Sequence, residues 1–331
     1  MMGCNMYNLQ HMIKDLKLTA KDSIKESLDK LMKNKKCVPI VYIIQFGNNQ
    51  ESNKYVSNKV KFLEEIGFQT FLTKADETMS KEDKLDLINK IDCSCTINKH
   101  AGVIVQLPAK DLTQSEIAKC INPKNDIDCF TEENFYKLTD RDFKLTPCTT
   151  GAILDILSFS ILEKVKVEME DFEKEIIKDT PSLNDEERVI KISEYLNRRN
   201  IILKSVKRVA IIGRSQLVGL PTFLALNNMD YTCTMFHSKS DIRDLSEFDV
   251  IVVAIGKAYE INAKNTKIKD GAIIIDVGIN FVNKKMYGDV DMQSFEDKHC
   301  FITPVPFGVG QLTVINVAYN ALKLLEQKYK E

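Results

Sequence analysis

The sequence contains no tryptophan, and its first arginine is Arg141. It also has no apolar stretch long enough to cross a bilayer as a helix, which excludes a helical membrane protein. The opening segment, MMGCNMYNLQHMIKDLKL, lacks both an unbroken apolar run and an arginine. A secretory signal is therefore not expected, and a transit peptide is disfavoured. We expect a cytoplasmic location, with targeting to an organelle as the open alternative.

Strong charge and paired cysteines are also missing. The net charge is -1, from 46 Lys and Arg against 47 Asp and Glu, so we expect neither nucleic acid nor a membrane as a partner. The nine cysteines are odd in number, and no CxxC pair occurs with a second pair or a histidine partner. Disulfides and a zinc site are therefore disfavoured, and no metal is expected.

What is present is an alternation of short β-rich runs with helical patterns over 331 residues. This pattern predicts an α/β protein with parallel sheets wrapped by helices, in two lobes with a cleft between them. The predicted strands are 38–46, 68–72 and 102–105 in the first half, then 209–212, 232–236, 250–254, 272–276 and 301–303. Amphipathic patterns predict helices at 51–66 and 312–325.

The predicted domains are 1–160, to which a terminal helix at 311–331 returns, and 205–310, which is Rossmann-like. Between them lies a predicted helical insertion, 161–204, whose central part, 163–199, is rich in charge and contains Pro181. Such charge is typical of a solvated surface helix. A partner-docking arm is the alternative.

The second lobe carries a candidate anion site. The strand 209–212 runs into Gly213-Arg214-Ser215 and then a helical pattern, and free N–H groups at a helix start bind anions. The G-x-G-x-x-G spacing is missing, so the glycine could serve only the shape of the turn. After the next strand come Ser238 and Lys239, with no acidic residue to hold a ribose 2′-hydroxyl, which favours NADP over NAD.

The first lobe carries a tyrosine and a lysine on one helix face. Tyr55 and Lys59 are i, i+4 neighbours, so the ring could stack on a flat heterocycle while the amine moves a proton. The amine needs partial burial or a polar partner to act as a base. The alternative is a solvated helix face of no catalytic importance.

Two further elements contribute polar side chains. Gln106 ends a strand and could hydrogen-bond either an amine or a substrate carbonyl, or merely satisfy the backbone. Asp128 could accept hydrogen bonds from the amino-pyrimidine edge of a pterin, whereas Asp126 could simply cap a turn.

Together these residues form an ordered set of motifs that resembles the methylenetetrahydrofolate dehydrogenase/cyclohydrolase family over 38–160 and 205–326. The motifs are S-x-x-YV-x-x-K (52–59), VQLP (105–108), DID (126–128), PCT (147–149), GRSxxVGxP (213–221), HS (237–238), IDVGIN (275–280), GDVD (288–291) and ITPVPFGVGQLT (302–313).

The resemblance implies a bifunctional enzyme. It oxidises 5,10-methylenetetrahydrofolate with NADP and hydrolyses the methenyl product to 10-formyltetrahydrofolate, with the catalytic residues Lys59, Gln106, Tyr55 and Asp128. The implied substrate-binding residues are these four with Val105, Leu107, Pro304, Pro306, Gly308, Gly310 and Leu312. The implied cofactor-binding residues are Gly213, Arg214, Ser215, Ser238, Gly256 and Ile279. The first lobe then binds folate, the second binds NADP, and the resemblance also implies a homodimer.

Several positions depart from the family pattern. Cys129 stands where relatives have glycine, so a turn needing positive φ would be strained there. Thr150 replaces a proline, and Phe307 and Gln311 are new in the substrate loop. Two alternatives therefore remain: an enzyme with dehydrogenase activity only, and a catalytically weak folate- or NADP-binding regulatory protein.

Overall fold

A computed structural model describes residues 7–179, 190, 193–194, 197, 203–283 and 285–330. The predicted insertion 161–204 therefore lies partly outside the described residues. The chain forms two compact units. The six-strand unit comprises the described residues of Met1–Ile13 and Ile153–Val309, and the three-strand unit those of Lys14–Ala152 and Gly310–Glu331.

The six-strand unit is built on a parallel sheet in the order β1-β11-β8-β7-β5-β6. Its strands are β1 (Tyr7–Asn8), β5 (Arg208–Ile212), β6 (Thr232–Phe236), β7 (Val250–Val253), β8 (Ile273–Asp276) and β11 (Phe301–Ile302). Helix α7 (Gly219–Asn228) connects β5 to β6, and β9 (Asn280–Val282) forms a hairpin with β10 (Lys285–Tyr287). Every residue of β7 and β8 is buried, as expected for strands covered on both faces.

The three-strand unit contains the parallel sheet β3-β2-β4. Its strands are β2 (Ile40–Phe46), β3 (Gln69–Ala75) and β4 (Gly102–Gln106). The helices are α1 (Gln10–Lys35), α2 (Gln50–Ile66), α3 (Lys81–Ile97), α4 (Gln114–Lys119), α5 (Glu132–Lys137), the start of α6 (Cys148–Asp179) and most of α8 (Val309–Lys328). Strand β3 extends three residues past its predicted end because this edge strand is largely exposed and accepts polar residues there.

Helix α6 changes the interpretation of the charged segment. The helix begins at Cys148 and continues without interruption to Asp179. Val165 and Met169 are buried, and the Lys164 ammonium donates to the Gly271 carbonyl oxygen. Residues 161–179 of the predicted insertion are therefore helical and continuous with the start of α6, and over 161–170 one face packs within the six-strand unit while the other is exposed.

Candidate active site

Helix α2 and strand β4 bring Lys59 and Gln106 together. The helix buries Val56 and Leu63 and leaves Tyr55 and Lys59 half-buried. The Lys59 ammonium donates to the Gln106 Oε1 atom at 3.0 Å, and the Gln106 Nε2 atom donates to the Leu107 carbonyl at 2.7 Å. The second bond turns the amide so that its oxygen faces the lysine. Gln106 therefore does both things that the sequence suggested: its NH₂ group bonds a backbone carbonyl and its oxygen accepts from the lysine amine.

The loop that carries Asp128 is held from both sides. The Ile127 amide donates to the Val103 carbonyl at 3.4 Å, and the Ile127 carbonyl accepts from the Asn320 Nδ2 atom at 2.8 Å. Cys129 has a φ of +57°, so its backbone adopts the left-handed conformation that glycine favours. The strain predicted from the sequence at this position is therefore present. These two anchors fix the residue beside Asp128 despite that strain.

The thiol of Cys148 shows that Lys59 and Asp128 share one neighbourhood. Burial raises its pKa well above the ordinary value, and the negative charge of Asp128 raises it further, whereas the charge of Lys59 lowers it. An amine paired with an amide and a half-buried carboxylate thus both act electrostatically on one buried thiol. Such a group can move a proton and accept hydrogen bonds from a polar heterocycle.

Two nearby residues have structural roles. The Asp126 carboxylate is fully buried and accepts from the Phe130 and Thr131 amides at 2.9 and 2.8 Å, so the turn-capping alternative is confirmed for it. The Val105 side chain is only 2% exposed and packs in an apolar cluster with Leu107 at its edge. Only the Val105 backbone is therefore left for the predicted contact with substrate.

The six-strand unit places the predicted cofactor residues along one edge of its sheet. The chain leaves β5 for β6 on one side and returns to β7 on the other, and ligands bind at the carboxyl ends of strands around such a reversal. The predicted residues follow these carboxyl ends: Gly213, Arg214 and Ser215 after β5, Ser238 after β6, Gly256 after β7 and Ile279 after β8.

The turn after β5 has the conformation that the anion-site prediction requires. Gly213 has a φ of +124°, and a Cβ atom there would lie 2.2 Å from the Ala254 carbonyl oxygen, so no other residue fits. The Ser215 hydroxyl accepts from the Val218 and Gly219 amides at 3.2 and 3.4 Å, which holds the turn that leads into α7. Its own O–H remains a donor that can point at a phosphate.

The loop after β6 presents the groups that distinguish NADP from NAD. Ser238 and Lys239 are both exposed. The acidic residue that follows, Asp241, is engaged by the Arg243 guanidinium, which holds the pKa of that carboxyl down at about 2. The loop therefore offers a hydroxyl and an ammonium to a ligand phosphate.

Two buried carboxylates organise the remaining loops, and the sequence interpretation gave them no role. Asp289 accepts from the amides of Ile255, Gly256 and Lys257 at 2.6, 2.9 and 2.9 Å. Asp276 accepts from three other amides, and burial raises its pKa to about 7. The sequence signal for these roles is the glycine in each of the two motifs. A Cβ atom on Gly278 would collide with the Asp289 carboxylate, and one on Gly288 with the Asp276 carboxylate.

The predicted substrate loop contains a second strained residue. Phe307 has a φ of +83° and is 54% exposed, and Gly308 packs where a Cβ atom would lie 2.3 Å from the Pro304 carbonyl oxygen. Pro304, Pro306 and Gly308 belong to the six-strand unit, whereas Gly310 and Leu312 begin the part of α8 in the three-strand unit. The predicted substrate residues are thus divided between the two units.

Over the described ranges, no three histidine, cysteine or acidic side chains are grouped as metal ligands. In the same ranges, no helix has the length and apolar character needed to cross a membrane.

Comparison with known proteins links these features to one family. Residues 12–128 match the tetrahydrofolate dehydrogenase/cyclohydrolase catalytic domain, and residues 190–329 match the NAD(P)-binding domain of the same family. The chain is 30% identical to the "Bifunctional protein FolD" of Bacillus pumilus, over 92% of this chain and 96% of that protein.

Solved structures agree with these matches. The bifunctional FolD methylenetetrahydrofolate dehydrogenase/cyclohydrolase of Campylobacter jejuni is 27% identical, with a TM-score of 0.73 over 95% of this chain and 97% of that one. The Trypanosoma brucei enzyme, solved with NADP and an inhibitor, has a TM-score of 0.75 over 98% of each chain. At 23% identity the latter supports the fold alone.

Proposed function

The chain belongs to the tetrahydrofolate dehydrogenase/cyclohydrolase family, and we propose that it catalyses two consecutive folate reactions. It oxidises 5,10-methylenetetrahydrofolate with NADP to the methenyl compound and then hydrolyses that compound to 10-formyltetrahydrofolate. The observation that carries this proposal is the 3.0 Å hydrogen bond between the Lys59 ammonium and Gln106. A regulatory protein without catalysis would have no need of a lysine positioned in this way.

NADP supplies the acceptor for the hydride, and the six-strand unit has groups that fit it. The Gly213 turn and the Ser215 hydroxyl, at the start of α7, suit its pyrophosphate. Ser238 and Lys239 suit the 2′-phosphate, and Gly256 and Ile279 are proposed to border the nicotinamide ribose. Asp276 and Asp289 hold the loops that carry these last two residues.

In the hydrolysis, the residues of the three-strand unit position groups and move a proton. The methenyl carbon is an electrophilic cation, so water needs only positioning and removal of a proton to add to it. Lys59, with its side chain oriented by Gln106, takes that proton. Tyr55 is proposed to stack on the folate, and Asp128 is proposed to accept hydrogen bonds from the pterin.

Hydrolysis of 5,10-methenyltetrahydrofolate without NADP tests the second activity separately. We expect loss of the methenyl absorbance at a rate proportional to enzyme concentration, well above the rate in buffer. A rate equal to that in buffer, with NADPH formation intact, would favour the alternative of a dehydrogenase alone.

The charge on the loop after β6 should decide the choice of cofactor. We expect wild-type protein to prefer NADP, and Lys239→Glu to lower kcat/KM for NADP by about 10- to 100-fold because a carboxylate repels the 2′-phosphate. The value for NAD should change little. Lys264→Glu, which reverses another exposed charge of the same unit, is the control. A wild-type preference for NAD would contradict this assignment.

The homodimer, the cytoplasmic location and the domain boundaries at 160 and 205 remain predictions.

A further inference from the structure

Two glutamines end two neighbouring strands of the three-strand unit. Strand β2 reads IVYIIQF and β4 reads GVIVQ, and Gln45 is the register partner of Gln106. Register partners on adjacent parallel strands are about 5 Å apart and project to the same face of the sheet. The two amide side chains therefore lie side by side at the carboxyl edge, and both bond to residues of α2.

The Gln45 amide is buried with one half satisfied. Gln45 is 1% exposed, and its Nε2 atom donates to the Asn53 Oδ1 atom at 2.9 Å. The Asn53 amide is fixed in turn, because its Nδ2 atom donates to Asn48 at 2.9 Å. Across the described part of the chain, the Gln45 Oε1 atom has no hydrogen-bond donor. Burying such an acceptor is costly, so a glutamine in this apolar strand calls for a donor during function.

Lys59 can supply that donor. A lysine ammonium has three N–H groups, and Gln106 takes one of them. Side chains of an α-helix lean toward its N-terminus, which for Lys59 is the end of α2 where Asn53 holds Gln45. A lysine rotamer that directs a second N–H toward the Gln45 oxygen, while Gln106 keeps the first, would satisfy that acceptor.

We propose that Gln45 is a positioning residue for the hydrolysis step, whose Oε1 atom accepts a second hydrogen bond from the Lys59 ammonium after Lys59 has taken the proton of the attacking water. In that step the water O–H bond breaks and the proton goes to the Lys59 amine, while the oxygen bonds to the methenyl carbon and the π electrons of its C=N⁺ bond move to the nitrogen. The inference rests on the proposed function. Of the described residues, the Cys148 thiol, whose pKa responds to the charges of both Asp128 and Lys59, is a titratable group near this lysine.

Gln45→Met tests the inference because methionine keeps the length of the side chain and removes the acceptor. The measurement is the pH dependence of methenyl hydrolysis without NADP. We expect the acidic limb of the profile to move down by about one pH unit, since the protonated lysine loses a bond. The plateau rate should fall about 3- to 10-fold, since the base is weaker. Gln45→Glu, which strengthens the acceptor, should move the limb in the opposite direction.

Gln69→Met, an exposed glutamine on the neighbouring strand β3, is the matched control and should behave as wild type. If Gln45→Met does not fold, as judged by its melting curve, the shift in Gln45→Glu decides the question. Unshifted profiles, or shifts of both variants in the same direction, would overturn the inference while leaving the proposed function intact. Wild-type protein without hydrolysis would overturn the proposed function and this inference with it.

Discussion

The Lys59→Met variant is expected to lose methenyl hydrolysis by a factor of about 10² to 10⁴ while it still forms NADPH. Methionine has a similar length and no amine, so the water loses its proton acceptor and Gln106 loses its partner. Hydride transfer from the methylene carbon does not require that base. With methylenetetrahydrofolate and NADP, the variant should therefore accumulate the methenyl compound in step with NADPH.

Lys54→Met is the matched control, because Lys54 lies on the same helix and is exposed. Its hydrolysis rate should equal that of wild type. If Lys59→Met retained hydrolysis, the assignment of the base to Lys59 would be wrong, and the Gln106 contact would have to be structural.

The Asp289→Asn variant is expected to lower the free energy of unfolding by about 3 kcal/mol and to raise KM for NADP at least tenfold. The Asp289 carboxylate accepts from three consecutive amides, 255–257, and from the Asn280 Nδ2 atom at 2.8 Å. Asparagine keeps one acceptor oxygen and turns an NH₂ group toward donors. The loop after β7, with Gly256, would lose its conformation.

Urea unfolding and initial rates measure the two effects. Asp291→Asn removes the same charge two residues away, where the side chain makes no capping hydrogen bond, and should change neither quantity appreciably. Equal KM values in wild type and Asp289→Asn would show that the loop after β7 does not contribute to cofactor binding.

The strands that the sequence predicted correctly share one property. Continuous apolar runs such as 250–253 and 273–275 are buried on both faces of a parallel sheet, so hydrophobicity alone reveals them. Strand β1 has two residues and depends on pairing with β11, about 290 positions later in the chain, which no local pattern reveals. The two strands of the β9–β10 hairpin have only three residues each and are partly exposed.

Site residues could be predicted from the sequence where a polar side chain suited to the chemistry stands at the end of a predicted strand, as Gln106 does. The resemblance implies that Lys59 and Gln106 are both catalytic, and their hydrogen bond agrees with a shared role. The roles of Gln45, Asp276 and Asp289 were not predictable, because each depends on which backbone or amide groups the fold brings to it. The sequence shows a glutamine at position 45, whereas only the register of β2 and β4 reveals that Gln106 is its neighbour.

One time course tests the central claim most directly. Purified protein is mixed with 5,10-methylenetetrahydrofolate and NADP, and the absorbances of NADPH and of the methenyl compound are recorded together. We predict that NADPH forms while little methenyl compound accumulates, because one protein carries out both steps. Stoichiometric accumulation of the methenyl compound would contradict hydrolysis, and the absence of NADPH from a protein that binds NADP would contradict the enzyme assignment altogether.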